Sequence, residues 1–172
     1  RVASRGLGDV YKRQNLHDFH AFTPTVANIR PTSRGEITIS SSNSKVNPKI
    51  KMNYLSTDED RKVAADGIKL IRKIVMETNE FKKYEPEEFR PGSHLNDKEE
   101  IVKACSHYAQ TIFHPVGTCK MGNDESAVVS DKLKVHGLNK LRVIDASIMP
   151  NITSGNTNAP TIMIAEKGAD MI

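Results

Sequence analysis

Residues 112–168 read IFHPVGTCKMGNDESAVVSDKLKVHGLNKLRVIDASIMPNITSGNTNAPTIMIAEKG. Within them His114 precedes a proline, the apolar run Leu141 to Ile144 stops at Asp145, and the turn Ser154 to Asn158 leads into an apolar segment from Pro160. A strand that stops at a polar residue, followed by a loop and a helix N-terminus, is where α/β proteins hold anionic ligands, because unpaired backbone N–H groups and the helix dipole point there. This stretch is expected to build the site and the residues before it to support it.

Working outward, Pro115 disfavours helical geometry at His114 and has no N–H to donate, so the helix before it is expected to end near Phe113 and to deliver His114 at its terminus. That helix is predicted to start behind Asn96, with Glu99 three residues on. Ile101, Cys105, Tyr108 and Ile112 are expected on its buried side. Beyond His114, short strands are predicted at about 127–129 and 133–136, a turn at Gly137, and a buried strand over Leu141 to Asp145. The last helix is predicted to begin near Pro160; its nearly continuous run Ile162, Met163, Ile164, Ala165 suggests burial on several sides, with Gly168 limiting it.

Upstream, Glu36 to Ser40 and Lys49 to Tyr54 alternate with period two, and the polar loop SSNSKVNP between them predicts an antiparallel hairpin. Ser56 followed by Glu59 reads as a capping box for an amphipathic helix to about residue 79, with Ala64, Ile68, Ile71 and Val75 on one face. Phe81 to Leu95, with its prolines, glycine and alternating charges, reads as a surface loop with room for a helical turn. The opening RVASRGLGDVYKRQ has no initiator Met and no apolar periodicity, and reads as a disordered or non-native tail over residues 1–14. Gly6 and Gly8 have the spacing that opens a dinucleotide fingerprint, but Tyr11 holds the third glycine position and no strand precedes them.

The 172 residues are 37% hydrophobic and 27% charged, ordinary values for a globular chain with room for one core. The net charge of +4 is spread along the sequence, aromatics amount to 5% and there is no Trp, so the basic stripe with stacking rings that nucleic acid requires is missing. No apolar run approaches the roughly 20 residues that span a bilayer. No charged-then-apolar leader opens the chain, which leaves its compartment open.

The words HPVGTCKMG, LRVIDASIMP and SGNTNAPTIMIAEKGADMI closely resemble the carboxy-terminal portion of the glucose-methanol-choline (GMC) oxidoreductases, flavoenzymes that oxidise alcohols, and most of all the insect glucose dehydrogenase type (FAD, quinone). The resemblance runs weakly from about Leu16 through RPTSRGEITI and strongly from Ile112 to Ile172. It implies an α+β fold: an antiparallel sheet with flanking helices over residues 15–136 as a substrate-binding domain, then a strand and helix over 137–172 that complete the FAD-binding domain. It implies that His114 takes the proton of the substrate hydroxyl and that Asn156 holds the second active-site position, where relatives carry His or Asn. Asp145 and Ala146 match the flavin-contacting strand end; Asn156, Thr157 and Asn158 lead into the helix that points at the flavin pyrimidine. FAD is the implied cofactor, an alcohol or sugar the substrate, quinone or oxygen the electron acceptor, and secretion the favoured localisation. The family's phosphate-cradling G-x-G-x-x-G follows no strand here, so the chain is expected to be a carboxy-terminal fragment that needs the amino-terminal FAD-binding half and is inactive alone.

The residue types suit that chemistry on their own terms. Oxidising CH–OH removes a proton from oxygen and a hydride from carbon, and no side chain accepts a hydride. A neutral imidazole can take the proton near neutral pH, and an asparagine amide can orient a hydroxyl without titrating.

Other readings compete. His114 before a proline at a helix end can instead satisfy orphan carbonyls, Asn156 can be read as a turn residue, and Asp145 as a cap on the following loop. A catalytically silent interaction domain of the same fold is a further alternative. Cys105, His107, His114 and Cys119 can be read as a zinc module, though ligands two apart on a helix diverge. The cysteines can also be read as a disulfide pair. Asn151-Ile152-Thr153 is a glycosylation sequon in a neighbourhood that looks too functional to be modified.

Overall fold

The computed structural model describes residues 17–172 and has the expected α+β architecture. The predicted tail over 1–14 lies outside the described residues.

Strands β1 (Glu36–Thr38) and β2 (Lys49–Lys51) pair antiparallel in the register Glu36↔Lys51, Ile37↔Ile50 and Thr38↔Lys49. They are shorter than the alternation predicts. Asn53 and Leu55 both take φ of 54°, which turns the chain out of the ladder after Lys51. At the entry to β1, a Cβ on Gly35 would lie 2.3 Å from the Lys51 carbonyl oxygen, so only glycine lets the backbones approach. The Ile37–Ile50 pair remains half or more exposed, at 51% and 61%.

Helix α1 (Asp58–Glu77) is capped by Thr57, whose Oγ1 accepts from the Asp60 N–H at 3.3 Å. The predicted capping box is therefore displaced by one residue: the Ser56 N–H donates to Ser33 Oγ instead. Asp58, Glu59 and Asp60 in the first turn complement the helix dipole. Asp60, 5% exposed, is the hub that ties the incoming chain to α1. It accepts from Asn28 Nδ2, the Thr32 N–H and hydroxyl, and the Ser33 N–H at 2.9–3.2 Å. Burial alone pushes its carboxyl up, but the bonds from Ser33 and Thr32 outweigh that and hold it below the ordinary 3.8.

A short helix, α2 (Asn79–Lys82), runs into the start of the segment predicted as a surface loop, which is then fastened to α1. The Arg72 guanidinium forks onto Glu88 at 2.9 and 3.0 Å and donates to the carbonyls of Gly92 and Leu95. Helix α3 (Lys98–Tyr108) is capped by Asp97 rather than Asn96, the Asp97 carboxylate accepting from the Glu99 and Glu100 N–H groups. One apolar cluster joins α1 to α3 through Ala65, Ile101 and Val102, with Ile68, Leu95 and Cys105 packed against it. Helix α3 stops at Tyr108 instead of reaching Phe113. Tyr108, Ile112 and Phe113 are exposed, so a longer helix would have no surface to bury and nothing to offset its ordering entropy.

A second cluster holds Val129, Leu133, Ile148, Met149 and Ile164, with Val116, Val143 and Ile144 against it. The strands predicted at 127–129, 133–136 and 141–145 are single bridges here, Met121↔Val129, Val129↔Val135 and Lys134↔Arg142. Positive φ at Leu133 (59°) and Lys140 (60°) lies beside the Val129↔Val135 and Lys134↔Arg142 bridges and turns the chain out of a longer ladder there. A 3-10 turn (Ala146–Ile148) and helix α4 (Asn158–Ala169) close this half. Gly168 lies inside α4 rather than ending it, and a Cβ there would stand 2.4 Å from Ile144 Cγ2. Helix α4 is buried at Ile164 and Gly168, whereas Ile162 and Met163 are exposed, so the expected burial on several sides is not found. Among the described residues no helix is long and apolar enough to cross a membrane.

Candidate active site

The site forms where the chain before the second cluster meets the start of α4. Phe113 adopts φ of 65°, a left-handed conformation that costs a bulky residue roughly 1–2 kcal/mol, and the reversal points His114 inward, half-buried. His114 thus arrives on a strained loop several residues past α3 rather than at its terminus. The loop is pinned immediately afterwards. Gly117 has φ of 88° and passes so close to the 3-10 turn that a Cβ would lie 3.3 Å from the Met149 carbonyl oxygen. The Cys119 and Met121 N–H groups donate to the Ser147 and Ile148 carbonyls at 3.0 and 2.8 Å.

From the other side, Ser154 takes φ of 62° and turns the chain into α4. Asn156 and Thr157 then flank the imidazole. His114 Nε2 lies 3.2 Å from Asn156 Oδ1, and Nδ1 lies 2.9 Å from Thr157 Oγ1. Two segments over forty residues apart thus meet at one ring, as the reading of His114 and Asn156 as a pair requires. Asn156 is exposed while Thr157 is buried, so the ring has a solvent-facing edge at Nε2 and a covered edge at Nδ1.

Asp145 and Ala146 stand at the start of the 3-10 turn, with Ala146 packed against the second cluster. The Asp145 carboxylate accepts from the Ser147 N–H at 2.8 Å and from the Ser147 hydroxyl, capping its own 3-10 turn. It makes no hydrogen bond to His114. Asn158 is exposed at the first position of α4. The N–H groups of Asn158 and Ala159 have no acceptor among the described residues, and Pro160 has no N–H to satisfy. That edge is a ready donor surface for the carbonyls and developing charge of a flavin pyrimidine, so these residues fit a flavin.

Thr157, expected on the flavin side, also meets His114 through its hydroxyl, a contact the sequence does not announce. A threonine just ahead of a helix ordinarily signals a cap, and nothing in its neighbours reveals that its hydroxyl goes elsewhere. The other sulfur and nitrogen groups do not assemble. Cys105 and Cys119 are free thiols, burial pushes the Cys105 thiol above 9.0, and no group of three His, Cys, Asp or Glu among the described residues is arranged to hold a metal. Asn151 of the sequon accepts from Arg34 Nη2 at 2.9 Å, which ties the loop before α4 to the residues leading into β1.

Comparison with known proteins points the same way. A family model described as GMC oxidoreductase matches residues 31–165. The oxygen-dependent choline dehydrogenase of Proteus mirabilis (strain HI4320) is 45% identical over 162 residues, 94% of this chain and 29% of that protein. The alcohol dehydrogenase (acceptor) of Pseudomonas putida is 46% identical over 153 residues, 89% of this chain and 28% of that protein. Among solved structures, an FAD-dependent oxidoreductase from Chaetomium thermophilum superposes with a TM-score of 0.77 at 30% identity, over 83% of this chain and 25% of that one. The chain spans less than a third of the length of the curated relatives it matches.

Proposed function

Because the chain belongs to the GMC oxidoreductase family, we propose that the protein it is part of oxidises the CH–OH group of a small alcohol, with His114 as the base and Asn156 as the group that orients the hydroxyl. FAD is the cofactor and, when bound, supplies the acceptor for the substrate hydride. The observation that carries this reading is the meeting of His114 Nε2 and the Asn156 amide at 3.2 Å on an exposed edge beside an uncapped helix start.

The residues divide the work as follows. When a substrate hydroxyl takes the place of the Asn156 Oδ1 contact and the ring proton sits on Nδ1, Nε2 presents a lone pair and takes the hydroxyl proton. The Asn156 amide carries both a carbonyl and an NH2, so it donates to the substrate oxygen while Nε2 accepts from it. The imidazolium that results stabilises negative charge developing beside it. Asn158 and Ala159 would offer N–H groups to a bound flavin, and the start of α4 would add a partial positive charge of about half a unit that favours an anion there. Asp145, Ala146, Thr157 and Asn158 are the residues assigned to the flavin side.

The chain is assigned to the carboxy-terminal portion of that protein. Residues 15–136 form the substrate-binding part, 137–172 close the FAD-binding part, and the phosphates of FAD are held by the amino-terminal half. The substrate is a small alcohol, with choline-like alcohols first on the strength of the relatives and sugars second. The test is anaerobic mixing of the intact flavoprotein with choline, primary and aryl alcohols and glucose. Bleaching of the flavin by at least one of them is expected; a bound flavin that none of them bleaches favours the silent interaction domain.

A further inference from the structure

We propose that Arg34 is a positioning residue: its guanidinium holds Asn151 and, through it, the loop that brings Asn156 to the Nε2 edge of His114. This deepens the proposed function and rests on it.

The two apolar clusters divide the described chain into halves with no packed residue in common, one built on α1 and α3 and the other on the 3-10 turn and α4. No helix or strand of one half packs against an element of the other. Among the described residues one hydrogen bond joins residues 17–113 to residues 114–172, from Arg34 Nη2 to Asn151 Oδ1 at 2.9 Å. It lands where the chain is least held. Residues 150–156 make no backbone–backbone hydrogen bond among the described residues. The loop leaves from Met149, buried in the second cluster, and returns at Thr157, also buried. Between them Ser154 sits at φ 62°, and Gly155 has nothing within 4 Å of the place a Cβ would take, so the stretch has strain to relax and room to do so. Its side-chain hydrogen bonds lie at its two ends, Asn151 to Arg34 and Asn156 to His114.

The Arg34 end is fixed before it reaches the loop. Nη1 donates to the carbonyls of Pro31 and Ser33 at 2.9 and 3.0 Å, which leaves Nη2 aimed at Asn151 with the planar fork already set, so the third bond orders little that was free. The backbone beneath it is tied to the start of α1. The Ser33 N–H donates to Asp60, Ser33 Oγ accepts from the Ser56 N–H, and the Arg34 carbonyl accepts from Asn53 Nδ2. A line of hydrogen bonds thus runs from the buried Asp60 through Ser33 and Arg34 to the loop that ends in the Asn156 amide. Arg34 and Asn151 are both exposed, so the bond matters for geometry more than for stability: water can satisfy either group but cannot fix where the loop stands. A misplacement of about 1 Å at reacting groups can cost on the order of 10²-fold in rate, so partial freedom of one partner should cost about tenfold.

The test is a double-mutant cycle in the intact flavoprotein, read as anaerobic flavin reduction with the alcohol that bleaches fastest. Arg34→Ala and Asn151→Ala should each lower the limiting reduction rate about tenfold, and the two together no further. Asn151→Asp keeps an acceptor for the guanidinium and should restore the rate. Both Asn151 changes remove the sequon, so their difference reports the acceptor alone. Asn151 lies on an exposed loop outside both clusters, so its variants test the tie even where Arg34→Ala disturbs folding. In an Asn156→Ala background Arg34→Ala should change nothing, because the amide it positions is gone. A second readout is the nitrogen-15 resonance of the Asn156 side-chain amide, assigned by its loss in Asn156→Ala; it should shift in Asn151→Ala and return in Asn151→Asp. With Asn156→Ala slow, an Asn151→Ala protein that keeps the wild-type rate or an unmoved amide resonance overturns the proposal. An Arg34→Ala effect of equal size with and without Asn156 overturns it as well. If His114→Ala and Asn156→Ala reduce flavin at the wild-type rate, the proposed function falls on that result, while the amide resonance decides separately whether Arg34 and Asn151 hold the loop.

Discussion

Asp60 carries a local stability argument that needs no cofactor. Its carboxylate gathers four donors from Asn28, Thr32 and Ser33 in a nearly dry position, and each would be left unpaired by truncation. Asp60→Ala should therefore destabilise the protein by about 3 kcal/mol, read as a lower urea midpoint. Its carboxyl is held below the ordinary 3.8, so its contribution is complete above about pH 4 and is lost as pH falls through the folded value. The gap between wild type and Asp60→Ala should accordingly narrow below pH 4. At this scale the sequence was legible in type but not in assignment. Ser56, Thr57, Asn96 and Asp97 are all competent caps, and only the path of the chain decides that Thr57 and Asp97 act while Ser56 pairs with Ser33. That His114 and Asn156 come together was legible in their motifs, whereas the Thr157 hydroxyl contact was not, because its partner is forty-three residues away.

Among the elements, helix α4 depends on one contact that propensity hides. Alanine is favoured over glycine in a helix by about 1 kcal/mol, so Gly168→Ala would be expected to stabilise α4 in isolation. In the folded chain the new Cβ would sit 2.4 Å from Ile144 Cγ2, next to the backbone, and overpacking of about 1–3 kcal/mol outweighs the gain. Gly168→Ala should lower the unfolding midpoint, and combining it with Ile144→Ala should cost less than the sum of the two single changes. Helices α1 and α3 were visible in their apolar periodicity, and the hairpin in its alternation. What the pattern did not reveal was where pairing ends. The strands predicted around residues 127–145 satisfy the alternation, yet left-handed residues such as Leu133 and Lys140 reduce them to single bridges, and left-handed non-glycine residues carry no clear signature in sequence.

Taken as one body, the molecule presents a large amount of unpartnered apolar surface. The hairpin pair Ile37 and Ile50, Leu70 and Ile74 on α1, and Ile162 and Met163 on α4 are all exposed. Together with a length under a third of its relatives, this agrees with the proposal that another part of the protein covers these faces. The 172 residues by themselves should then associate on gel filtration and elute without a flavin spectrum, whereas a monodisperse fragment with tightly bound FAD would remove the need for an amino-terminal half. The most direct measurement of the central claim is anaerobic flavin reduction in the intact protein carrying His114→Ala. With flavin still bound, the rate should fall by about 10² or more, the usual worth of a general base; a rate equal to wild type would contradict proton abstraction by His114.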